Sequence, residues 1–408
     1  MGPWWLATIQ AHGHLQLFGW GGLMVLGVGF FFLPRLRGAP LTAPNLLPWI
    51  LGLLGSGLAM RAVVQPAFAL VSFPALGWLF GASGVLELGG ASLALAVLAA
   101  TGRKGPPLRQ RSGLLPVLPY LATGFAALWL ALAVNAVLTL QAAFDGSPVI
   151  PSVGDEVVVH LGLVGFLLPV SVAVSVRSFP LFLWLKVPSP TRVRLAYPLF
   201  LSGLTLSVVG MAADSNGTAA VGGLLEGVTL LAFPAVLQLV PPRRRPGKAP
   251  TEDPHYLRPV EWLLIPAYFW LLFAGLIAVV GSAALFGAPI PISIDAERHA
   301  LGSGFVTLLI LGMGTRMLPG FSGRRIASVG LIWATVALGN ASALLRVIPL
   351  LAPAGGMASP ALEVLSIALA LSGALGMAAV ACLGLNLWRT FRPADASPAA
   401  HTPGAGHR

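Results

Sequence analysis

Charge is what this sequence has least of. Of its 408 residues only 9% are Asp, Glu, Lys or Arg, while 56% are hydrophobic. That balance excludes a disordered chain and an ordinary soluble protein, and it marks a polytopic helical membrane protein. Alternation at period two is also missing, which argues against a β-barrel. Cysteine is nearly absent: Cys382 stands alone, so there is neither a disulfide framework nor a thiolate metal cluster. No P-loop, Rossmann fingerprint or Ser/His/Asp arrangement occurs, and the Gly-rich stretches read as membrane packing features. The net charge of +11 does not imply nucleic acid, because the basic residues sit in short loops between apolar spans. The segment from Met1 to Gln10 has no basic n-region and no small-residue cleavage site, so it does not read as a removable signal peptide.

What is present is a series of long apolar runs. Runs of about 18 residues or more predict an all-α, polytopic bundle of about eleven helices. They fall near residues 10–34, 46–64, 74–100, 114–141, 157–185, 195–213, 217–240, 260–286, 297–318, 326–349 and 361–388. Arg103, Lys104, Arg109 and Arg111 follow the third run, and Lys186, Arg192 and Arg194 the fifth. Arg243, Arg244, Arg245, Lys248 and Arg258 follow the seventh, and Arg324 and Arg325 the ninth. The alternate loops carry Asp145, Asp155 and Glu156, then Asp214, then Asp295. The positive-inside bias makes the basic loops cytoplasmic, with the N-terminus outside and the C-terminus inside. Residues 1–392 read as a single transmembrane domain, and the Pro-, Ala- and Gly-rich stretch 393–408 as a disordered cytoplasmic tail.

One pattern occurs three times. His14, His160 and His299 are each followed by Gly at the fifth position (Gly19, Gly165, Gly304) and Pro at the twentieth (Pro34, Pro180, Pro319). Copies roughly 140 residues apart read as an internal repeat, with units about 10–141, 157–286 and 297–388. The units are three pseudo-equivalent four-helix sets, and the count fits a twelve-helix plan lacking its first member. Twenty residues span about 30 Å of helix, so the histidines are expected near the outer ends and the prolines near the cytoplasmic ends. The third helix of each unit carries a glutamate: Glu87, Glu226 and Glu363. The outer end of the second carries Arg61, Asp214 and Arg346.

Ionisable residues in membrane helices are rare and usually face the bundle interior, which singles out His12, His14, His160 and His299. Imidazole is the common protein ligand for haem iron, copper and zinc. The plain alternative is a histidine that satisfies a helix end or a neighbouring carbonyl. His12 and His14 lie about 200° apart on a regular helix, so they serve two sites unless the helix is irregular at Gly13. Glu87, Glu226 and Glu363 suit partners behind a ligand, proton relays or cation sites, or are simply hydrogen-bonded buried acids or, for Glu363, a helix-start charge. Arg61 and Arg346 suit haem propionates or snorkel to the interface. Arg177 and Arg316 read as topology anchors. His255, His401 and His407 fall in a loop or tail and read as solvated.

The run His12-Gly13-His14-Leu15-Gln16-Leu17-Phe18-Gly19 resembles the opening motif of the NnrS family, His-x-His-Glu-x-Leu-Phe-Gly. Arg177-Ser178-Phe179-Pro180-Leu181-Phe182 resembles its Arg-x-x-Pro-x-Phe segment. The stretch from His299 through Arg316 to Gly320-Phe321-Ser322-Gly323-Arg324 resembles its third motif, which ends Gly-His-Thr-Gly-Arg. Two departures stand out: Leu15 replaces the family Glu and Phe321 its His. The resemblance covers about residues 10–390. It implies a bacterial inner-membrane protein containing haem, expected to be b-type, and copper, linked to nitric oxide metabolism and nitrosative stress. The three-unit plan also resembles subunit I of the haem-copper oxidases. On this reading the lipid bilayer, haem and copper are the partners, and nucleic acid is not. Two other classes compete, a repeat-built transporter and an assembly or scaffold protein of a respiratory complex.

Overall fold

The computed structural model describes residues 2–71, 73–110, 113–243, 254–288, 293–352 and 359–392. The expected tail 393–408 and the basic residues Arg111, Arg244, Arg245 and Lys248 lie outside the described residues. Among the described residues, eleven helices are long and apolar enough to cross a membrane. They are α1 (Pro3–Arg37), α2 (Pro44–Leu70), α3 (Pro74–Arg103), α4 (Leu118–Phe144), α5 (Ser152–Phe182) and α6 (Pro190–Ala212), then α7 (Asn216–Val236), α8 (Pro259–Leu285), α9 (Ile294–Phe321), α10 (Val329–Leu351) and α11 (Pro360–Phe391). The chain is therefore a multi-pass membrane protein, and all eleven expected helices are present.

Several helices start earlier than the apolar runs suggest. α1 begins at Pro3, whose ring suits the first helical position, and its first turns carry Trp4, Trp5, Leu6 and Ile9. α5 and α9 take in Asp155, Glu156 and Asp295, which were expected in loops. A carboxylate in the first turn faces the free N–H groups and positive dipole end of the helix, so it belongs there. As a result His14, His160 and His299 lie 11, 8 and 5 residues after the first residue of their helices. His14 therefore sits about 16 Å along its helix, well inside it and not near the outer end.

Sequential helices pack as neighbours, and α1, α5 and α9 also meet one another. They are not equally enclosed. The apolar windows of α5 and α9 are 78% and 72% buried, that of α1 only 28%, so α5 and α9 form the core and α1 keeps a lateral face. At one end, Arg37 donates to the carbonyls of Lys104 and Pro106, and Arg177 to that of Gly113. Lys186 N–H donates to Arg243, and Arg324 to Thr390 and Arg392. These bonds tie different helix-linking segments to one another at that end. At the other end Gln65 donates to Gln10 and to the carbonyl of Pro148, and Gln10 to that of Ile150.

Glycine sets how closely the helices approach, as expected where apolar lipid gives no hydrophobic drive between them. A Cβ on Gly222 of α7 would collide with the backbone N of Ser207 on α6, whereas one on Gly52 of α2 would meet nothing within 4 Å. Gly222→Val is therefore expected to destabilise the detergent-solubilised protein by about 1–3 kcal/mol. Gly52→Ala is expected to be neutral or mildly stabilising. Thermal denaturation of both variants checks this; equal melting temperatures would contradict the packing argument.

Candidate functional site

Each of the three repeated histidines is followed at once by a change of helix type. Leu15–Gly22, Leu161–Leu167 and Ala300–Thr307 are π-helical. Widened turns of this kind are rare and often lie at functional sites. The Gly at the fifth position falls inside each one. A Cβ there would lie 2.9 Å from Ala127 at Gly165 and 2.5 Å from Trp270 at Gly304, so α4 and α8 press directly on these turns. Gly19 has more room, with Leu58 at 3.9 Å. The three π segments touch one another, bringing the helices that carry the histidines together.

Two of the histidines are paired with carboxylates. His14 Nε2 lies 2.5 Å from Glu87 Oε2, and both side chains are buried. His160 Nε2 lies 2.9 Å from Glu226 Oε1. A glycine on the preceding helix makes room for each glutamate. A Cβ on Gly57 would lie 2.6 Å from Glu87 Cγ and 2.8 Å from the Ser83 carbonyl oxygen. A Cβ on Gly203 would lie 2.9 Å from Glu226 Cγ and 3.2 Å from the Gly222 carbonyl oxygen. Gly57 and Gly203 each stand 43 positions after their histidine.

The third site differs. Glu363 is exposed on α11, where it was expected to match Glu87 and Glu226. It lies too close to the start of its helix, only three residues after Pro360. His299 uses Nδ1 to donate to the carbonyl of Asp295, 2.8 Å away on its own helix.

Other ionisable groups cluster around these pairs. Arg61 is fully buried, donates to Asn135 Oδ1 at 3.2 Å and lies over the Phe80 ring, so it does not snorkel. Asp155 is within electrostatic range of Arg61 and His14, and Glu297 of His160 and Glu226. Neither acid was expected at the site. Their signal is position: Asp155 stands five residues before His160 and Glu297 two before His299, each on the helix that carries that histidine. Arg346 is half-buried beside Gly373, and His12 and His299 are within its electrostatic range. Arg61 and Arg346 both stand 47 positions after their histidine; on α6 that register holds buried Ser207, not Asp214. His12 is exposed and His14 buried, so the two face opposite sides of a helix that stays regular until Leu15. Phe321, at the family's His position, stacks on Phe31 at the far end of α9. It stands 22 residues beyond His299, roughly 33 Å of helix rise, and takes no part in this site.

Ring nitrogens and space decide whether these residues suit copper or haem. An imidazole that donates one N–H to an oxygen keeps its lone pair on the other nitrogen, the usual arrangement behind a metal-bound histidine. With the N–H on the paired oxygen, His14 and His160 keep Nδ1 and His299 keeps Nε2, so the donors fit copper or haem iron. The space beside Glu87 does not fit a macrocycle. Its cavity, lined by Phe18, Leu54, Leu58 and Leu128, is about 10 Å³, room for one water. Among the described residues no three His, Cys, Asp or Glu side chains converge on one point suited to a metal ion. From the described residues a metal here would have at most two such donors.

Removing Glu87 leaves His14 buried without its partner. Glu87→Ala is expected to cost about 1–3 kcal/mol, and a His14→Leu/Glu87→Leu double variant less than the two single changes together. Unfolding in mixed detergent measures both; additive costs would mean that the pair does not interact.

No curated protein shows significant similarity to this chain. A family model described as NnrS protein matches residues 1–394, nearly its whole length. Together with the eleven helices and the histidines on three of them, that match assigns the chain: it belongs to the NnrS family.

Proposed function

We propose that this protein binds copper or haem through imidazoles of α1, α5 and α9, in a role in nitric oxide metabolism or nitrosative-stress response. One observation carries the metal reading. Each of the three repeated histidines has one ring nitrogen hydrogen-bonded to an oxygen, by Glu87, Glu226 or the Asp295 carbonyl. Such a partner fixes ring orientation and raises ligand basicity. The nitric oxide link rests on family membership alone. The cavity beside Glu87, about 10 Å³, disfavours a haem on His14. Arg61 is held by Asn135, which leaves Arg346 as the better candidate for a propionate. The matching positions after each histidine support a three-unit plan, with the third unit altered.

The basic loops gather at one end of the bundle, which the positive-inside bias assigns to the cytoplasm of a bacterial inner membrane. A second reading, a repeat-built transporter, is favoured by one feature: paired ionisable side chains lie where the helices leave α geometry.

His14→Ala, His160→Ala and His299→Ala are each expected to lower copper or haem content, while His255→Ala leaves it unchanged. Metal analysis and Soret spectra of purified protein check this; a wild type grown with ample iron and copper that holds neither favours the transporter. Reporter fusions at residues 107 and 147 are expected to report the cytoplasm and the outside respectively; the reverse would refute the orientation.

A further inference from the structure

On the three-unit plan proposed above, α4 and α8 fill the same place in the first and second units. α4 packs on α3 and on the π turn of α5, and α8 packs on α7 and on the π turn of α9. Among the described residues the third unit is α9, α10 and α11, and no helix joins α11 to the π turn of α1 in this way. Burial follows the vacancy. The apolar window of α1 is 28% buried, against 78% and 72% for α5 and α9. That of α11 is 11% buried, against 44% for both α3 and α7. The second helices, α2, α6 and α10, are alike at 33%, 28% and 33%, so the exposure belongs to the two walls of one position.

The glycine register locates that position along α1. A Cβ on Gly165 would press on Ala127 of α4, and one on Gly304 on Trp270 of α8. A Cβ on Gly19 would meet only Leu58 and its own Leu15, at 3.9 and 4.0 Å. Thirteen positions after each histidine stand Gly27, Ala173 and Gly312. A Cβ on Gly312 would lie 2.6 Å from Leu264 of α8, Ala173 is buried, and a Cβ on Gly27 would meet nothing within 4 Å. Gly27 opens instead on the apolar groove of about 460 Å³ that Leu23 and Phe31 of α1, Phe321 of α9 and Phe391 of α11 line. Met377 and Gly384 lie on the face of Phe391, at steps of seven residues or two turns. Met377 is 72% exposed, and a Cβ on Gly384 would again meet nothing within 4 Å.

We propose that this groove docks one transmembrane helix of a partner protein, in the place that α4 and α8 hold elsewhere. The proposal rests on the three-unit plan and adds an interaction surface to it. The walls define the helix. It is apolar and sets large side chains against Gly19 and Gly27, as α8 sets Trp270 and Leu264 against Gly304 and Gly312. At the basic end of the groove the Arg35 and Arg392 guanidinium groups lie over the rings of Phe31 and Trp388. Among the described residues neither pairs with a carboxylate, so an acidic side chain at that end of the incoming helix complements them. An acyl chain would fill the space without the close backbone approach that glycine permits. A second copy of this chain offers the same two walls and no free helix to place between them.

The test co-expresses the full chain with a probe, residues 254–288 as a separate single-span chain. That segment carries α8 and, in Arg258, a positive charge that orients it. A photoreactive benzoylphenylalanine replaces Gly27 or, as the control, Gly52, where a Cβ also meets nothing within 4 Å. Irradiation is expected to give roughly tenfold more chain–probe adduct from position 27 than from position 52. Equal adducts would overturn the proposal, leaving α1 a lipid-facing surface. So would adducts from position 27 with lipid alone, or between two full chains, which would make the groove a contact between copies. Maleimide labelling in a Cys382→Ser background tests the plan beneath it: Gly27→Cys is expected to react and Ala173→Cys to be protected. Equal labelling would refute the three-unit plan, whereas the expected labelling without a probe adduct would refute the docked helix alone.

Discussion

The pairing of His14 with Glu87 is the contact on which this arrangement turns. Inside a bilayer neither group finds bulk water, and an unpaired polar or charged group there is costly. Each must meet the other across two helices, and that fixes how α1 and α3 sit. The glutamate backbone can come close enough only because Gly57 offers no side chain between α2 and α3. The same three-part device returns at His160, Glu226 and Gly203. Packing and chemistry are therefore not separable here: a methyl group on either glycine would push a carboxylate off its histidine.

The π turns belong to the same constraint. A histidine that must reach sideways to a neighbouring helix is followed by a turn wider than α, and the widening leaves backbone carbonyls less regularly paired. Thr307 illustrates the repair, its hydroxyl donating to the Gly302 carbonyl five residues back, the spacing of a π turn. The glycines at the fifth position then let α4 and α8 close over the widened turns. Of the small residues in α1, Gly21 and Gly22 pack against Leu167 and Phe166 of α5 and serve helix approach. Gly27 faces an apolar groove of about 460 Å³ between α1, α9 and α11.

Much of this was legible in the sequence, and the reason for each failure is physical. Helix number follows from hydrocarbon thickness, so the eleven spans could be read directly. The His-Gly-Pro spacing also points to three similar helices, and the sequence offers Glu87 and Glu226 as partners behind a ligand, relays, cation sites or plain buried acids; their hydrogen bonds to His14 and His160 are compatible with each of these. Glu363 does not match them because it lies three residues after Pro360, near the start of α11, and residue type alone does not reveal depth along a helix. The offsets from Gly57 to Glu87 and from Gly203 to Glu226, 30 and 23 residues, also differ, so counting along the chain does not locate a third position. Asp155 and Glu297 were passed over because both lay at the edges of apolar runs and read as loop charges. The π turns left no trace in composition, since the pattern of apolar residues barely changes when one extra residue enters a turn.

Charge balance gives the last step. Around His14 and Arg61 stand Glu87 and Asp155; around His160 and Arg298 stand Glu226 and Glu297. Each of these sites can neutralise itself from its own side chains. Around His299 stand His12 and Arg346, and the nearby acid, Asp295, is exposed and already pairs with Arg298 at 3.7 Å. Among the described residues no glutamate pairs with His299 as Glu87 and Glu226 pair with His14 and His160, which leaves a basic corner that favours a bound anion over a bare cation. Two sites close on themselves and one needs a counter-charge from outside, so the three histidines are chemically unequal.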